Sequence, residues 1–398
     1  MTRSTDNPWL NRFAILTAAV TLFLIGIGGL VTSHGAGMAV PDWPTTYGYN
    51  MFFFPFSKWV GGVFYEHSHR LVASVVGMLT AVLAGWIWVR HTPSSGRWAG
   101  LVWITVALGL VGVRTKLMFV ILACAAMAVI VWSLGRVRND ERPLRWWAMI
   151  AFCVVLIQGV LGGLRVTELK DEIGIFHAIL AQMFFVLACA IALLTSRWWR
   201  HVPKLAVYDG YSLRYLYWFA TAMVLFQLIL GATMRHQHAG LAIPDFPLAY
   251  GKVWPAMDTQ AVAYYNHMRV ETTAVQPITA FQVGLQMAHR LCALLLFVAI
   301  VWSAVLTRRQ FGWGASLTKL SMIWVCLVIS QIALGAATIW TNKSADVATA
   351  HVAVGALTLM IGAMLLLVSH RCLELSSESE AIARSVQTSP APEMKLTA

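Results

Sequence analysis

The sequence predicts an all-α polytopic membrane protein made of two pseudo-symmetric four-helix bundles and an inserted helix pair. Apolar runs long enough to cross a bilayer recur along almost the whole chain, and short motifs of the first half return in the second. Of the 398 residues, 12% are charged, whereas soluble proteins carry about 25%. This composition excludes a soluble enzyme. The formal charge of +12 is therefore assigned to cytoplasmic loops rather than to nucleic-acid binding.

About ten transmembrane helices are predicted, because a helix needs about 20 apolar residues to cross a bilayer. They are expected at 12–32, 66–89, 98–113, 117–135, 146–164, 173–195, 213–233, 281–306, 318–340 and 347–369. Arg and Lys concentrate in alternate connecting segments. This asymmetry puts both termini in the cytoplasm and the protein in the inner cell membrane, surrounded by lipid.

The same pattern divides the chain into segments. These are a cytoplasmic leader (1–11), an N-terminal helical half (12–205) that includes the inserted pair (98–135), a C-terminal helical half (206–370) and a disordered cytoplasmic tail (371–398). The tail is polar and too poor in apolar residues to bury a core. The inserted pair brings no histidine or carboxylate into the membrane, so we expect it to pack outside an eight-helix core.

An internal repeat is the most informative feature. Residues 36–48 read AGMAVPDWPTTYG and residues 239–251 read AGLAIPDFPLAYG, so that eight of thirteen positions are identical at an offset of 203 residues. In the following helices EHSHRL matches QMAHRL, QGVLGGLRV matches QIALGAATI, and IFHA matches TAHV. Each half is therefore a four-helix unit, and the even number of helices gives a pseudo-twofold axis along the membrane normal.

The repeat preserves four histidines. His69 and His289 begin the second helix of their halves, and His177 and His351 lie near the start of the fourth. Two imidazoles at one depth on different helices of a bundle are suited to ligate a haem iron from both faces. A lone intramembrane histidine is more often a hydrogen-bonded core residue, but four histidines that obey one repeat favour ligation. All four are predicted metal ligands.

These motifs together resemble the haem A synthase family. The resemblance is carried by the acid-x-x-His-Arg of 66–70, the His-Arg of 289–290, the two later histidines and the repeated PD(W/F)P loops. It covers about residues 10–370, apart from the insertion. It implies an oxidoreductase that converts a methyl group of haem O into the formyl group of haem A for cytochrome oxidase biogenesis.

The resemblance also implies a division of labour. His289 and His351 would hold a haem b cofactor, and His69 and His177 would bracket the substrate, haem O. Haem O synthase and cytochrome oxidase assembly factors are the implied partners. The sequence departs from the family in its extra helix pair, and its outer loop at 234–280 lacks the cysteine pair that some members carry.

One asymmetry between the halves favours chemistry in the first. The repeat aligns Glu66 with Gln286, so only the first half has a carboxylate one helical turn before its histidine. A site that removes protons from a substrate needs such a group, whereas electron transfer does not. Glu66 is therefore the predicted catalytic residue. The alternative is a helix N-terminal carboxylate favoured by the helix dipole.

Other polar residues near the histidines have weaker assignments. Arg70 and Arg290 are predicted either to contact haem propionates or to reach the membrane interface. His67 points away from His69 and is expected at the interface. Asp42 and Asp245 lie between prolines and are expected to fix their loops by turn hydrogen bonds.

Two other functions remain open on the residues alone. One is a bis-histidine dihaem b-type membrane cytochrome that only transfers electrons. The other is a transporter with parallel repeats, in which the histidines form a proton path. Transporters more often have helices interrupted by proline in mid-membrane, whereas the prolines here lie in loops and tails. The Glu66/Gln286 asymmetry favours the enzyme over the cytochrome.

Overall fold

The computed structural model describes residues 7–91, 113–136, 143–207, 210–268 and 277–375, together with 102, 105 and 109. These residues are mostly helical. The helices are α1 (Pro8–Ser33), α2 (Gly61–His91), α3 (Lys116–Arg136), α4 (Pro143–Glu168), α5 (Asp171–Leu194), α6 (Arg197–His201), α7 (Gly210–His236), α8 (Thr259–His267), α9 (Ala280–Phe311), α10 (Ser316–Trp340) and α11 (Ala345–Cys372). The described residues also form three 3-10 helices (Met51–Phe53, Phe56–Lys58 and Ala239–Leu241) and two short strand pairs. The strand pairs are β1 (Thr45–Thr46) antiparallel to β2 (Tyr49–Asn50), and β3 (Leu205–Val207) parallel to β4 (Leu373–Leu375).

Eight of the described helices are long and apolar enough to cross a membrane, namely α1, α2, α4, α5, α7, α9, α10 and α11. The prediction of an all-α polytopic membrane protein is confirmed. The predicted helix 117–135 corresponds to α3, whose apolar stretch is shorter than those of the other eight. Most of the predicted helix 98–113 lies outside the described residues.

The eight long helices form two four-helix units in the order that the repeat predicts. In the first unit α1, α2, α4 and α5 pack each against the next, and α5 closes the ring on α1. In the second unit α7, α9, α10 and α11 make the same ring. The units meet through their first and fourth helices, since α1 packs on α11, α7 on α5, and α5 on α11. The inserted α3 packs against α4, outside both rings.

Two helix boundaries differ from the sequence prediction in ways that matter for the site. Helix α2 begins at Gly61 rather than near residue 66, and its first turn contains no acidic residue. Glu66 therefore lies more than one turn inside the helix, where the alternative of a helix N-terminal carboxylate no longer applies. Helix α11 continues to Cys372, and β4 follows it against β3. Residues 371–375 are thus ordered, and the rest of the predicted tail lies outside the described residues.

Candidate functional site

The two repeated loops, residues 36–48 and 239–251, have the same internal architecture. The carboxylate of Asp42 accepts hydrogen bonds from Thr45 Oγ1 (2.5 Å), the Tyr47 amide (2.7 Å) and the Gly48 amide (2.8 Å). Burial raises the pKa of Asp42, but these hydrogen bonds outweigh it and hold the pKa below its usual value. Asp245 accepts equivalent bonds from the amides of Tyr250 (2.7 Å) and Gly251 (2.8 Å). In both loops the aspartate therefore orders the turn, as the sequence predicts.

Each loop is held on the following helix by one buried side chain. Glu66 Oε2 accepts from the Val40 amide (2.9 Å), and Gln286 Oε1 accepts from the Ile243 amide (2.7 Å). Glu66 is 4% exposed and Gln286 is 2% exposed. The second carboxylate oxygen of Glu66 pairs with Arg70 at 2.7 Å. The halves thus share a loop anchor, but only the first anchor carries a charge.

The two arginines that follow the histidines also face the loops. Both donate to backbone carbonyl oxygens. The acceptors of Arg70 are Val40, Asp42 and Thr45, and those of Arg290 are Asp245 and Leu248. Five such bonds, added to the Arg70–Glu66 pair, direct both guanidinium groups to the loops. A contact from either to a haem propionate stays a prediction.

The four histidines come together in the predicted pairs. His69 on α2 and His177 on α5 lie close enough for their charges to interact, and so do His289 on α9 and His351 on α11. In each of the four rings Nδ1 is buried and has no hydrogen-bond partner among the described residues. Taken as whole residues, the four histidines are partly exposed. Each pair therefore presents imidazole nitrogens to which the described protein offers no competing hydrogen bond.

A glycine on the neighbouring helix lies beside each imidazole. A Cβ atom built on Gly28 would stand 3.1 Å from Cε1 of His69, and one built on Gly231 would stand 3.4 Å from Cε1 of His289. On the other side of each site, Gly162 has the same relation to His177 (3.2 Å) and Gly335 to His351 (3.5 Å). The four rings are thus seated in one geometry, with the tighter fit in the first half.

Glutamines also support the histidine-bearing helices. Gln158 Nε2 donates to the carbonyl of His177 (2.9 Å), and Gln331 Nε2 donates to the carbonyl of His351 (2.8 Å). Gln227 does the same for His289 (3.0 Å). The first two glutamines open the repeated QGVLGG and QIALGA motifs, so the repeat could have identified them. The position that matches Gln227 at the repeat offset is Leu24.

Sequence reasoning missed two arginines between the histidine pairs. Arg165 on α4 lies close enough to interact electrostatically with His69 and His177, and Arg235 on α7 with His351. The two arginines also interact with each other. The repeat aligns Arg165 with Thr338 and Arg235 with Thr32, so neither is preserved and neither attracts notice in the sequence.

His67 is fully buried beneath the first repeated loop. Its Nδ1 lies 3.1 Å from Thr46 Oγ1, and its ring packs against Phe54 and Trp59 with centroid distances of 5.0 and 4.6 Å. The loop covers His67 because Glu66 and Arg70 of α2 bind its backbone and hold it over the start of that helix. These contacts give His67 a role in seating the loop.

The described residues fit haem better than a bare metal ion. No group of three or more His, Cys, Asp or Glu side chains within the described ranges could hold an ion. All six cysteines are free. What the fold provides is two separate imidazole pairs, in which each Nδ1 is buried without a hydrogen-bond partner among the described residues and each ring packs closely against a glycine. Two histidines are a sufficient protein ligand set for haem iron, because the porphyrin supplies the other ligands.

Comparison with known proteins agrees with this arrangement. A family model described as cytochrome oxidase assembly protein matches residues 111–363. A heme A synthase of Halalkalibacterium halodurans is 25% identical over 86% of this chain and 91% of its own length. Heme A synthases of Shouchella clausii (24% identity, 84% and 88% coverage) and Geobacillus kaustophilus (22% identity, 86% of each chain) are also similar.

Proposed function

Because the chain belongs to the cytochrome oxidase assembly protein family, we propose that it is a haem A synthase. It oxidises the methyl group of haem O to the formyl group of haem A for cytochrome c oxidase biogenesis. The proposal is supported by the names of the similar proteins. The observation that carries it is the pair of equivalent histidine sites of which one alone has a buried carboxylate.

The cofactor site is proposed in the second half. His289 and His351 hold a haem b, whose iron supplies the redox chemistry when it is bound. Gly231 and Gly335 seat the two rings, and Gln227 and Gln331 fix the helix segments that carry them. No acidic side chain takes the place of Gln286 here, which suits a site that exchanges electrons without accepting protons from a substrate.

The substrate site is proposed in the first half, where His69 and His177 bracket haem O. Oxidation of a methyl group to a formyl group releases protons. Glu66 is the ionisable group one turn from His69, and one of its carboxylate oxygens lies 2.7 Å from Arg70 Nη2. Glu66 is therefore proposed as the proton acceptor or charge stabiliser at the reacting carbon. Its bond to the Val40 amide fixes the carboxylate in position.

The surroundings of the two sites complete the proposal. The protein spans the inner membrane with both termini in the cytoplasm, so that the histidine pairs lie toward the outer ends of their helices. Haem O synthase and oxidase assembly factors are the proposed partners. The inserted residues 98–135 are proposed to contact neither haem. The ammonium group of Lys116, at the start of α3, pairs with Glu168 of α4 at 2.8 Å.

The test is product analysis. The protein is expressed with a source of haem O, the haems are extracted from the membranes, and haem A is identified by chromatography and mass. Formation of haem A that depends on Glu66 and on all four histidines is expected. A purified protein that binds b-type haem in both halves and makes no formyl product would instead be an electron-transferring cytochrome.

A further inference from the structure

We propose that Arg165 and Arg235 form an anion site between the two histidine pairs that binds the propionate carboxylates of the bound haems. The inference rests on the proposed function only in taking haem as the ligand. It replaces the sequence-based assignment of propionate binding to Arg70 and Arg290.

The placement of both arginines relative to the histidine seats is the first support. Arg165 follows Gly162 by three positions and Arg235 follows Gly231 by four. Residues three and four apart on a helix lie on one face. Each guanidinium therefore stands one turn beyond a glycine that seats a histidine, toward the outer end of its helix. If the imidazoles held a haem, these two guanidinium groups would stand about one helical turn from it.

The contacts of Arg235 are the second support. Its Nη2 donates to the Gly29 carbonyl (2.5 Å) and to Ser33 Oγ (2.8 Å), both on α1 of the other half. Neither acceptor is charged. Thr349 lies against Gly29, and its buried Oγ1 has no hydrogen-bond partner among the described residues. A cation and an unsatisfied hydroxyl thus lie beside the same turn of α1, at the junction of the two halves.

The mutual position of the two cations is the third support. Arg165 and Arg235 are partly buried and interact electrostatically with each other, and like charges repel more strongly in such a setting than in bulk water. The guanidinium of Arg165 is also confined, because a Cβ on Gly37 would stand 2.8 Å from its Nη2 and one on Gly174 would stand 3.0 Å from its Nε. An anion between the two groups would offset their repulsion.

Carboxylates are the anions that best match this arrangement. A planar guanidinium binds a carboxylate through two parallel hydrogen bonds, and haem carries its carboxylates on one edge. Arg165 interacts electrostatically with His69 of the first pair, and Arg235 with His351 of the second. Each arginine would therefore bind the propionates of one haem, and its charge would also act on the haem of the other half. Arg70 and Arg290 are less suited, because both terminal nitrogens of each guanidinium group already donate to loop carbonyl oxygens.

The experiment measures how the purified holoprotein holds its haem. The variants are Arg165→Gln, Arg235→Gln, Arg165→Lys and Arg235→Lys. Arg290→Gln tests the alternative assignment, and Arg308→Gln is a control that removes a cation from the exposed end of α9. Haem transfer to excess apomyoglobin is followed by absorbance, and the haem reduction potential by redox titration. For Arg235→Gln we expect transfer about tenfold faster or more, since a charge-assisted hydrogen bond is lost. The potential should fall, because a nearby positive charge no longer favours the reduced iron.

The lysine variants should lie between the glutamine variants and the wild type, and Arg308→Gln should match the wild type. Unchanged transfer and potential in Arg165→Gln and Arg235→Gln would overturn the inference, as would a large effect confined to Arg290→Gln. Haem A formation is measured separately on the same samples. A protein that makes no haem A but loses haem faster in Arg235→Gln would overturn the proposed function alone.

A second measurement needs no variant and separates haem carboxylates from a free anion. Wild-type protein from haem-limited cells is titrated with haem and with haem dimethyl ester, which lacks the carboxylates. Tighter binding of haem by about tenfold or more is expected. Equal binding of the two, with a haem release rate that responds to chloride or inorganic phosphate, would assign the site to a free anion and overturn the inference.

Discussion

The two halves of this protein use one backbone design and differ in a few buried side chains. The same loop amide is bound by Glu66 in the first half and by Gln286 in the second. Because Oε2 of Glu66 and Oε1 of Gln286 accept from equivalent backbone N–H groups, a carboxylate is not required to hold the loop. What the glutamate adds is a charge, shared with Arg70. The comparison teaches that the repeat fixes the geometry, while single side chains decide the chemistry.

The ends of the two cores that lie away from the repeated loops differ as well. In the second half the Tyr217 hydroxyl bonds Thr307 Oγ1 (2.5 Å) and Ser321 Oγ (3.3 Å). The aligned residues of the first half are the apolar, buried Ala14, Ile87 and Ala148. Hydrogen bonds thus join α7, α9 and α10 at this level of the second half, whereas apolar side chains pack against one another at the same level of the first half.

The largest expected difference between the halves concerns the histidines. His351→Ala removes a proposed cofactor ligand, so we expect loss of the bound b-type haem and of its absorption spectrum. His69→Ala removes a proposed substrate ligand, so the purified protein should keep that haem and fail to make haem A. Haem content and spectrum are measured on both variants. Loss of the resident haem in His69→Ala with retention in His351→Ala would reverse the assignment of the halves.

The next prediction concerns the charge that separates the halves. Glu66→Gln keeps an oxygen for the Val40 amide, as Gln286 does for Ile243, and removes the proton acceptor. We expect retained haem and a haem A yield lower by about a hundredfold or more, the usual worth of a general base. Gln286→Glu is the matched control and should leave haem A formation close to wild type. Normal turnover by Glu66→Gln would show that the carboxylate only holds the loop.

The glycine seats provide a graded comparison of the two sites. A methyl group on Gly28 meets His69 at 3.1 Å, whereas one on Gly335 meets His351 at 3.5 Å. The first distance requires the ring to move and the second is ordinary contact, so Gly28→Ala should impair haem A formation several-fold and Gly335→Ala should have little effect. Product yield and the spectrum of the bound haem check this. An equal effect of both variants would show that the difference between the two glycine–histidine distances does not matter for activity.

The hydroxyl cluster of the second half predicts a moderate loss of stability. Tyr217→Phe removes one buried hydroxyl and its two hydrogen bonds, which should lower the free energy of unfolding by about 1 to 2 kcal/mol. The thermal midpoint of the purified protein and the release temperature of its haem measure the loss. Ala14→Val at the aligned position tests packing in the first half. If Tyr217→Phe is as stable as the wild type, the cluster contributes no net stability.

The smallest expected effect is the acid sensitivity of the first loop. The folded pKa of Asp42 lies below its usual value, so the aspartate stabilises the loop above its unfolded pKa of about 4. This stabilisation is lost as pH falls toward and through the folded pKa. Limited proteolysis of the loop should therefore accelerate below about pH 4. In Asp42→Asn the loop should be cleaved more readily at neutral pH and show less acceleration in acid.

Composition and internal repetition in the sequence predict the helical membrane fold, the two-unit repeat, the four histidines and their pairing. They can do so because each feature depends on local composition or on a motif that occurs twice. Glu66 emerged from the same repeat, as the position where the two copies differ. The QGVLGG and QIALGA motifs contained Gln158 and Gln331 as well, although their bonds to the histidine carbonyls were not anticipated.

Only the tertiary structure decided what each polar group faces. It placed Glu66 inside a helix that begins at Gly61, turned Arg70 and Arg290 onto the loops, and buried His67. It also brought Arg165 and Arg235 together across the junction of the halves. These outcomes depend on contacts between residues distant in the sequence, and the two arginines have no counterpart in the repeat. Hydropathy fixes which segments enter the membrane, but the packing of α1, α5, α7 and α11 at the junction decides which charges meet there.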